Sequence, residues 1–326
     1  MSQKRTTVKA HPNIAFIKYW GNAIPDLRLP SNGSISMNLQ GLDTVTSLSE
    51  NNKGAFHSLE INGEKQDSIK TKRISAFIEK ARELYGFSGY LDVRSQNNFP
   101  MGAGIASSAS AFAALATALN DFHALNLSEK EISALARLGS GSACRSIPDG
   151  FTMWKRGTTH EGSYATSIVP VNHWELYDYI LIVNKDEKKI SSTEGHHLSA
   201  TSPFQSVRIH DAKRRLEICK SAILDKDFEK LSDIIELDSN MMHAVMMTSN
   251  PPITYWQPDS IAIMKKVRAL RKRGIACAYT MDAGPNVHVI CTASDLNKVK
   301  ENFKQFKGID QALLAKTGFG ARVIQP

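Results

Sequence analysis

The stretch Asn98-Phe99-Pro100-Met101-Gly102-Ala103-Gly104-Ile105-Ala106-Ser107-Ser108-Ala109-Ser110 constrains the chain most, because a glycine-rich loop runs directly into a long Ala-rich segment. Glycines let backbone amides approach an anion closely, and the start of a helix adds about half a positive charge at the same point. The pattern therefore predicts a loop-to-helix unit that holds phosphate. No Gly-Lys-Ser/Thr follows, so it is not a Walker A loop, and the glycine spacing does not give GxGxxG. Hydroxyls of the serine trio suit phosphate oxygens or a magnesium ion. Taken alone, a tight turn packed with small residues reads the same way.

The chain has 326 residues, enough for about two domains at ~150 residues each. Apolar residues recur at steps of three and four in Ile74, Phe77, Ile78, Ala81 and Leu84, with Gly86 as a stop, which predicts a helix. Ser128 and Glu131 have capping-box spacing and Gly139 follows the last apolar residue, Leu138, so a second helix is bounded there. Strands are expected within 6–19 and at 90–93, 151–154, 179–183, 276–280 and 287–291. Long helical patterns cover 204–224, 228–247 and 261–273. We place a boundary near 185–200, giving units 1–185 and 186–326.

Forty Lys+Arg against 32 Asp+Glu leave +8, which favours an anionic partner. The densest basic run, 265–273, lies on one amphipathic helix without interleaved aromatics and reads as a solvated face rather than a nucleic-acid patch. No apolar stretch approaches the ~18 residues that span a bilayer, and no signal-peptide core follows the basic N-terminus, so a cytoplasmic protein without membrane partners is expected. Cys144, Cys219, Cys277 and Cys291 show no metal-ligand spacing and read as thiols. His11, His243 and His288 likewise have no second ligand at such a spacing, and the methionines of 241–247 read as core.

Three further segments carry chemistry: Asn13-Ile14-Ala15-Phe16-Ile17-Lys18-Tyr19-Trp20-Gly21, Gly139-Ser140-Gly141-Ser142-Ala143-Cys144-Arg145-Ser146 and Met281-Asp282-Ala283-Gly284-Pro285-Asn286. Asp282 sits in a Gly/Pro-rich loop after a strand, where a carboxylate can face a cleft, although a plain turn aspartate fits as well. Together with the phosphate loop, these segments resemble the diphosphomevalonate decarboxylases, a branch of the GHMP small-molecule kinase superfamily, in order from residue 13 to residue 286. That resemblance implies an α+β fold with a left-handed βαβ unit in the N-terminal domain, a ferredoxin-like C-terminal domain, an active-site cleft between them and a homodimer. It also implies the reaction: ATP phosphorylates the tertiary hydroxyl of a phosphorylated mevalonate, phosphate departs, and carbon dioxide is lost to leave an isopentenyl product.

By the same resemblance Asp282 is the base, Lys18 keeps it ionised, and Arg145 grips the substrate carboxylate. Tyr19, Asn22, Ser140, Ser142, Ser192 and Thr193, with Ser191 beside them, face the substrate. Gly102, Gly104, Ala106, Ser107 and Ser108 take the ATP phosphates, with Ser107 the first choice for magnesium. One departure stands out: the family's usual lysine after Trp-Gly is Asn22 here. Removing a cation penalises a diphosphate more than a monophosphate, so mevalonate 5-phosphate is expected as substrate and mevalonate 5-diphosphate as the alternative. Arg28, Lys185, Lys188 or His196 are candidates for a replacement charge. Two rival readings are a mevalonate 3-kinase that does not decarboxylate and a basic nucleic-acid binder; the second explains none of the four motifs.

Overall fold

The computed structural model describes residues 4–52, 54, 56–100, 107–184 and 190–324. The first half of the chain forms β1 (Arg5–Ala10), β2 (Asn13–Ile17), β3 (Asn22–Ile24), β4 (Leu29–Pro30), β5 (Ser34–Gln40), β6 (Thr44–Glu50), β7 (Ser58–Ile61), β8 (Glu64–Lys65), α1 (Ser68–Tyr85), β9 (Leu91–Asn97), α2 (Ser107–Phe122), α3 (Glu129–Gly139), β10 (Phe151–Trp154), β11 (Ala165–Val169) and β12 (Leu176–Ile182). The second half adds α4 (Ser192–Leu198), α5 (Gln205–Asp225), α6 (Phe228–Met247), α7 (Pro258–Lys272), β13 (Cys277–Thr280), β14 (Val287–Thr292), α8 (Leu296–Phe303), β15 (Gln311–Thr317) and β16 (Arg322–Ile324).

Local chemistry explains the helix ends. The Asp67 side chain accepts from the Ile69 and Lys70 amides at the start of α1, and Gly86, left-handed at φ 72°, closes its end through the Arg82 carbonyl. The Ser128–Glu131 capping box is formed at α3. The helix does end at Gly139, though not through a left-handed turn. That residue is the last of α3, the chain leaves through extended Ser140, and a Cβ at Gly139 would lie 2.0 Å from the Phe112 ring of α2. The glycine is needed for close helix packing rather than for a left-handed turn.

Two sheets organise the molecule. One runs β16-β1-β6-β9-β7-β8; its β7 and β9 are parallel and α1 lies between them in the chain, a βαβ unit. The Ala-rich α2 packs on β1 and β6 with nearly every side chain buried, as a run of small residues permits. The other sheet runs β11-β10-β5-β15-β12-β14-β13, with β2 paired to β5. The boundary expected after residue 185 falls just past β12, whose hydrogen-bonded neighbours are β14 and β15. Helices α5 and α6 cover this second sheet through Cys219, Ile223, Leu231 and Ile235. On α7, Lys265 is exposed as the basic run predicted, whereas Arg268 and Arg271 reach back to Glu236 on α6, at 3.0 and 2.6 Å. No described helix is long and apolar enough to cross a membrane.

Candidate active site

A hollow of about 330 Å³ opens where β2 ends, α2 and α4 begin and the loop after β13 turns. Lys18 directly follows β2 and Asp282 closely follows β13; 264 residues apart in sequence, they meet with Nζ 2.6 Å from Oδ1. The lysine side chain is 1% exposed and the aspartate 25%, so the pair has one open side, toward the hollow. Burial pushes the Asp282 carboxyl up, but Lys18, His288 and Arg145 outweigh it and hold the group below the usual carboxylate range. Asp282 is therefore ionised at neutral pH.

The main chain of Lys18 is anchored as firmly as its ammonium. Its amide donates to Asp238 Oδ1 at 2.7 Å, and its carbonyl accepts from Arg208 at 2.7 Å and Asn32 at 3.1 Å. Asp238 is in turn paired with Arg215 at 2.7 Å, and the side chains of Arg208, Arg215 and Asp238 are fully buried. Arg145 is also buried, and burial weakens its guanidinium's hold on its proton. It donates to Asn13 Oδ1 at 3.2 and 3.1 Å and to Ser34 Oγ at 2.8 Å, all neutral acceptors. The fork is thus oriented while its charge has no carboxylate partner among the described residues, an arrangement that suits an incoming carboxylate.

On the other side of the hollow, Ser108, Ser140 and Ser142 form a chain of hydroxyls at 3.1 and 3.4 Å. Tyr19 lies against Trp154 and His196, with ring centroids 4.7 and 4.1 Å away, and donates its hydroxyl to Asn22 Oδ1. His196 Nδ1 accepts from the Gly21 amide at 2.9 Å, which leaves the proton on Nε2; burial, aided by Arg28, pushes its pKa down to about 3, so the ring is neutral. Arg28 and Arg73 line the same hollow.

The N-terminal-domain description "Diphosphomevalonate decarboxylase-like" matches residues 10–165, and "Mevalonate 5-diphosphate decarboxylase C-terminal domain" matches 179–318. The chain belongs to the diphosphomevalonate decarboxylase family. It is 40% identical to the Candida albicans diphosphomevalonate decarboxylase over 90% of this chain and 86% of that one, and 36% identical to the Saccharomyces cerevisiae enzyme over 92% and 81%. Its fold is similar to the crystal structure of the Staphylococcus aureus mevalonate diphosphate decarboxylase, with TM-score 0.93, 37% identity and 99% and 98% coverage. It is equally similar to the Enterococcus faecalis enzyme, with TM-score 0.92, 37% identity and complete coverage of both chains. The α+β GHMP kinase fold expected from the motifs is therefore present.

Of the residues singled out by sequence in this decarboxylase, Lys18, Tyr19, Arg28, Ser107, Ser108, Ser140, Ser142, Arg145, Ser191, Ser192, Thr193, His196 and Asp282 share one hollow. Asn22 is not among its lining residues: its side-chain oxygen holds the Tyr19 hydroxyl. Gly102, Gly104, Ala106, Lys185 and Lys188 lie outside the described residues. Sequence reasoning missed Arg73, which periodicity assigns to a polar helix face, and missed Asn13, Asp238 and Arg208, whose contacts with Arg145 or Lys18 span more than 130 residues. The Asn-Ile-Ala-Phe-Ile-Lys segment carried a signal for Asn13, a polar residue opening an otherwise apolar strand.

Proposed function

We propose that this decarboxylase converts mevalonate 5-diphosphate to isopentenyl diphosphate, with ATP as phosphoryl donor and magnesium as its counter-ion. The observation that carries the reading is the convergence of the Lys18–Asp282 pair and the Arg145 fork on one hollow. Asp282 accepts the proton of the tertiary hydroxyl as that oxygen attacks the terminal phosphoryl group. Lys18 keeps the carboxylate ionised beforehand and balances charge as the transfer proceeds. Arg145 holds the substrate carboxylate so that the carbon–carbon bond to be broken lies opposite the departing phosphate. Phosphate leaves with the electrons of its C–O bond, and the electron pair of the bond to the carboxylate becomes the new double bond as carbon dioxide departs.

The Ser107 and Ser108 hydroxyls stand in the first turn of α2, which has no acidic residue to repel phosphate; this fits a magnesium-bound nucleotide. Bound there, it supplies the phosphoryl group that makes the hydroxyl a leaving group. For the substrate, the relatives' activity favours the diphosphate over the monophosphate that Asn22 led us to expect. Arg28 and Arg73 in the hollow support this choice, because they offer cationic charge that Asn22 does not. A cytoplasmic homodimer, which sedimentation and fractionation would test, completes the proposal.

The experiment is a coupled assay of ADP and carbon dioxide release on both substrates, repeated with Asp282→Asn. Wild-type turnover of the diphosphate is expected, with a loss of about 10²- to 10⁴-fold in kcat in the variant. A wild type inactive on both compounds, or a fully active variant, overturns the reading. Release of ADP without carbon dioxide would instead support the 3-kinase.

A further inference from the structure

Arg28 has a backbone that an arginine rarely adopts. It sits between β3 and β4 at φ 47°, left-handed without being glycine. The turn is clamped to α3 from both sides: the fully buried Arg137 donates its Nε to the Leu27 carbonyl at 2.9 Å, and Arg28 Nε donates to the Leu138 carbonyl at 3.0 Å. Arg137 also binds the carbonyls of His160 and Ser163, so it cannot swing away freely. Such a clamp offsets the cost of that backbone conformation and fixes the guanidinium at the hollow.

Neither Arg28 nor Arg73 forms an ion pair with a carboxylate among the described residues, although other surface arginines of the chain do. Arg73 is instead spread over the Phe112 ring and donates to the Gly139 carbonyl at 3.2 Å. Two mutually repelling guanidiniums in one hollow, neither paired to a carboxylate among the described residues, form a site for a multiply charged anion. Their place along the hollow decides which part of the substrate reaches them. Lys18 and Asp282 mark the reacting end, and the next residue, Tyr19, reaches from there to Asn22 on the hairpin that carries Arg28, while Arg28 and Arg73 are tied to the Leu138 and Gly139 carbonyls at the end of α3.

We infer that Arg28, locked by Arg137 and backed by Arg73, receives the terminal phosphate of the substrate's diphosphate and sets the preference for diphosphate over monophosphate; this rests on the substrate reading above. Asn22, on the same hairpin, is neutral and committed to Tyr19, so the cation comes from the turn and not from the strand.

The test compares kcat/KM for mevalonate 5-diphosphate and mevalonate 5-phosphate in the wild type, Arg28→Gln and Arg28→Lys. Loss of one charge-assisted contact lowers the diphosphate-to-monophosphate ratio by about ten- to a hundredfold in Arg28→Gln. Arg28→Lys should recover part of it, and KM for ATP should stay within about twofold. The ratio is internal to each variant, so partial misfolding scales both substrates alike. An unchanged ratio, or a loss confined to KM for ATP, overturns the role of Arg28 while leaving the decarboxylase reading intact. A wild type that turns over only the monophosphate overturns the substrate reading itself.

Discussion

Asp238 sits at the centre of the buried network behind Lys18, and replacing it with Asn tests whether that network holds the lysine. The substitution conserves shape but removes the negative charge that faces Arg215 at 2.7 Å and Arg208 at 3.7 Å, all three side chains being inaccessible to water. Removing one partner of a buried ion pair leaves an uncompensated charge and costs about 3–5 kcal/mol, far more than the median exposed pair at ~0–1 kcal/mol. Against a total stability of about 5–15 kcal/mol the fold survives with much of its reserve gone. Urea titration followed by tryptophan fluorescence reads this as a lower midpoint with an unchanged slope. The Lys18 amide also loses a charged acceptor at 2.7 Å, so kcat should fall at least tenfold while KM for ATP holds. Arg215 keeps Asp211 at 3.2 Å, so the charge left without a carboxylate is Arg208, and combining Asp238→Asn with Arg208→Met should restore part of the stability. A midpoint shift equivalent to less than about 1 kcal/mol would refute the argument.

Gly139→Ala sets two effects against each other. Alanine favours the helix by up to ~1 kcal/mol, but its Cβ would lie 2.0 Å from the Phe112 ring that carries Arg73, and overpacking costs about 1–3 kcal/mol. Thermal melting should show net destabilisation, and KM for the substrate should rise with it. Buried His196 and His243, each with its pKa pushed down to about 3, stay neutral in the fold while the unfolded chain takes up protons below about 6.5. Stability should therefore fall as pH drops from 6.5, by up to about 1.4 kcal/mol per pH unit for each histidine. Urea midpoints at pH 7 and 5 measure it, and His243→Gln should flatten the slope. His11, His57, His123 and His160 shift in the same direction, so the variant removes one share only.

The parts of this molecule that could be read from sequence are those whose cause is local. The Gly86 stop of α1 and the Ser128–Glu131 box of α3 lie within four residues of the groups they satisfy, and α6 has the bounds its periodicity implied, because a helix closes its hydrogen bonds within itself. Short edge strands such as β8 and β16 have no such signature; β16 exists only because β1 offers an open edge some 315 residues earlier in the chain. Motif residues told which side chains belong together, yet the groups that hold them in place were hidden for the same reason. Asp238 and Arg208 look like ordinary charges on amphipathic helices until the fold buries them under Lys18.

Asn22 shows how a correct observation at one position describes only part of a site. Its neutrality is real, and its side chain serves Tyr19 rather than the hollow. The inference from a missing lysine to a less charged substrate left Arg28, Lys185, Lys188 and His196 open as replacement charges, and sequence gives no distances to choose among them. Electrostatic attraction depends on distance to the anion and on burial, not on which element carries the cation. Here the same hairpin carries a guanidinium in the turn beyond the strand, and α1 adds a second from another part of the chain. A pocket's charge has to be summed over every element that reaches it, and six residues along one hairpin suffice to move a cation from a strand to a clamped turn.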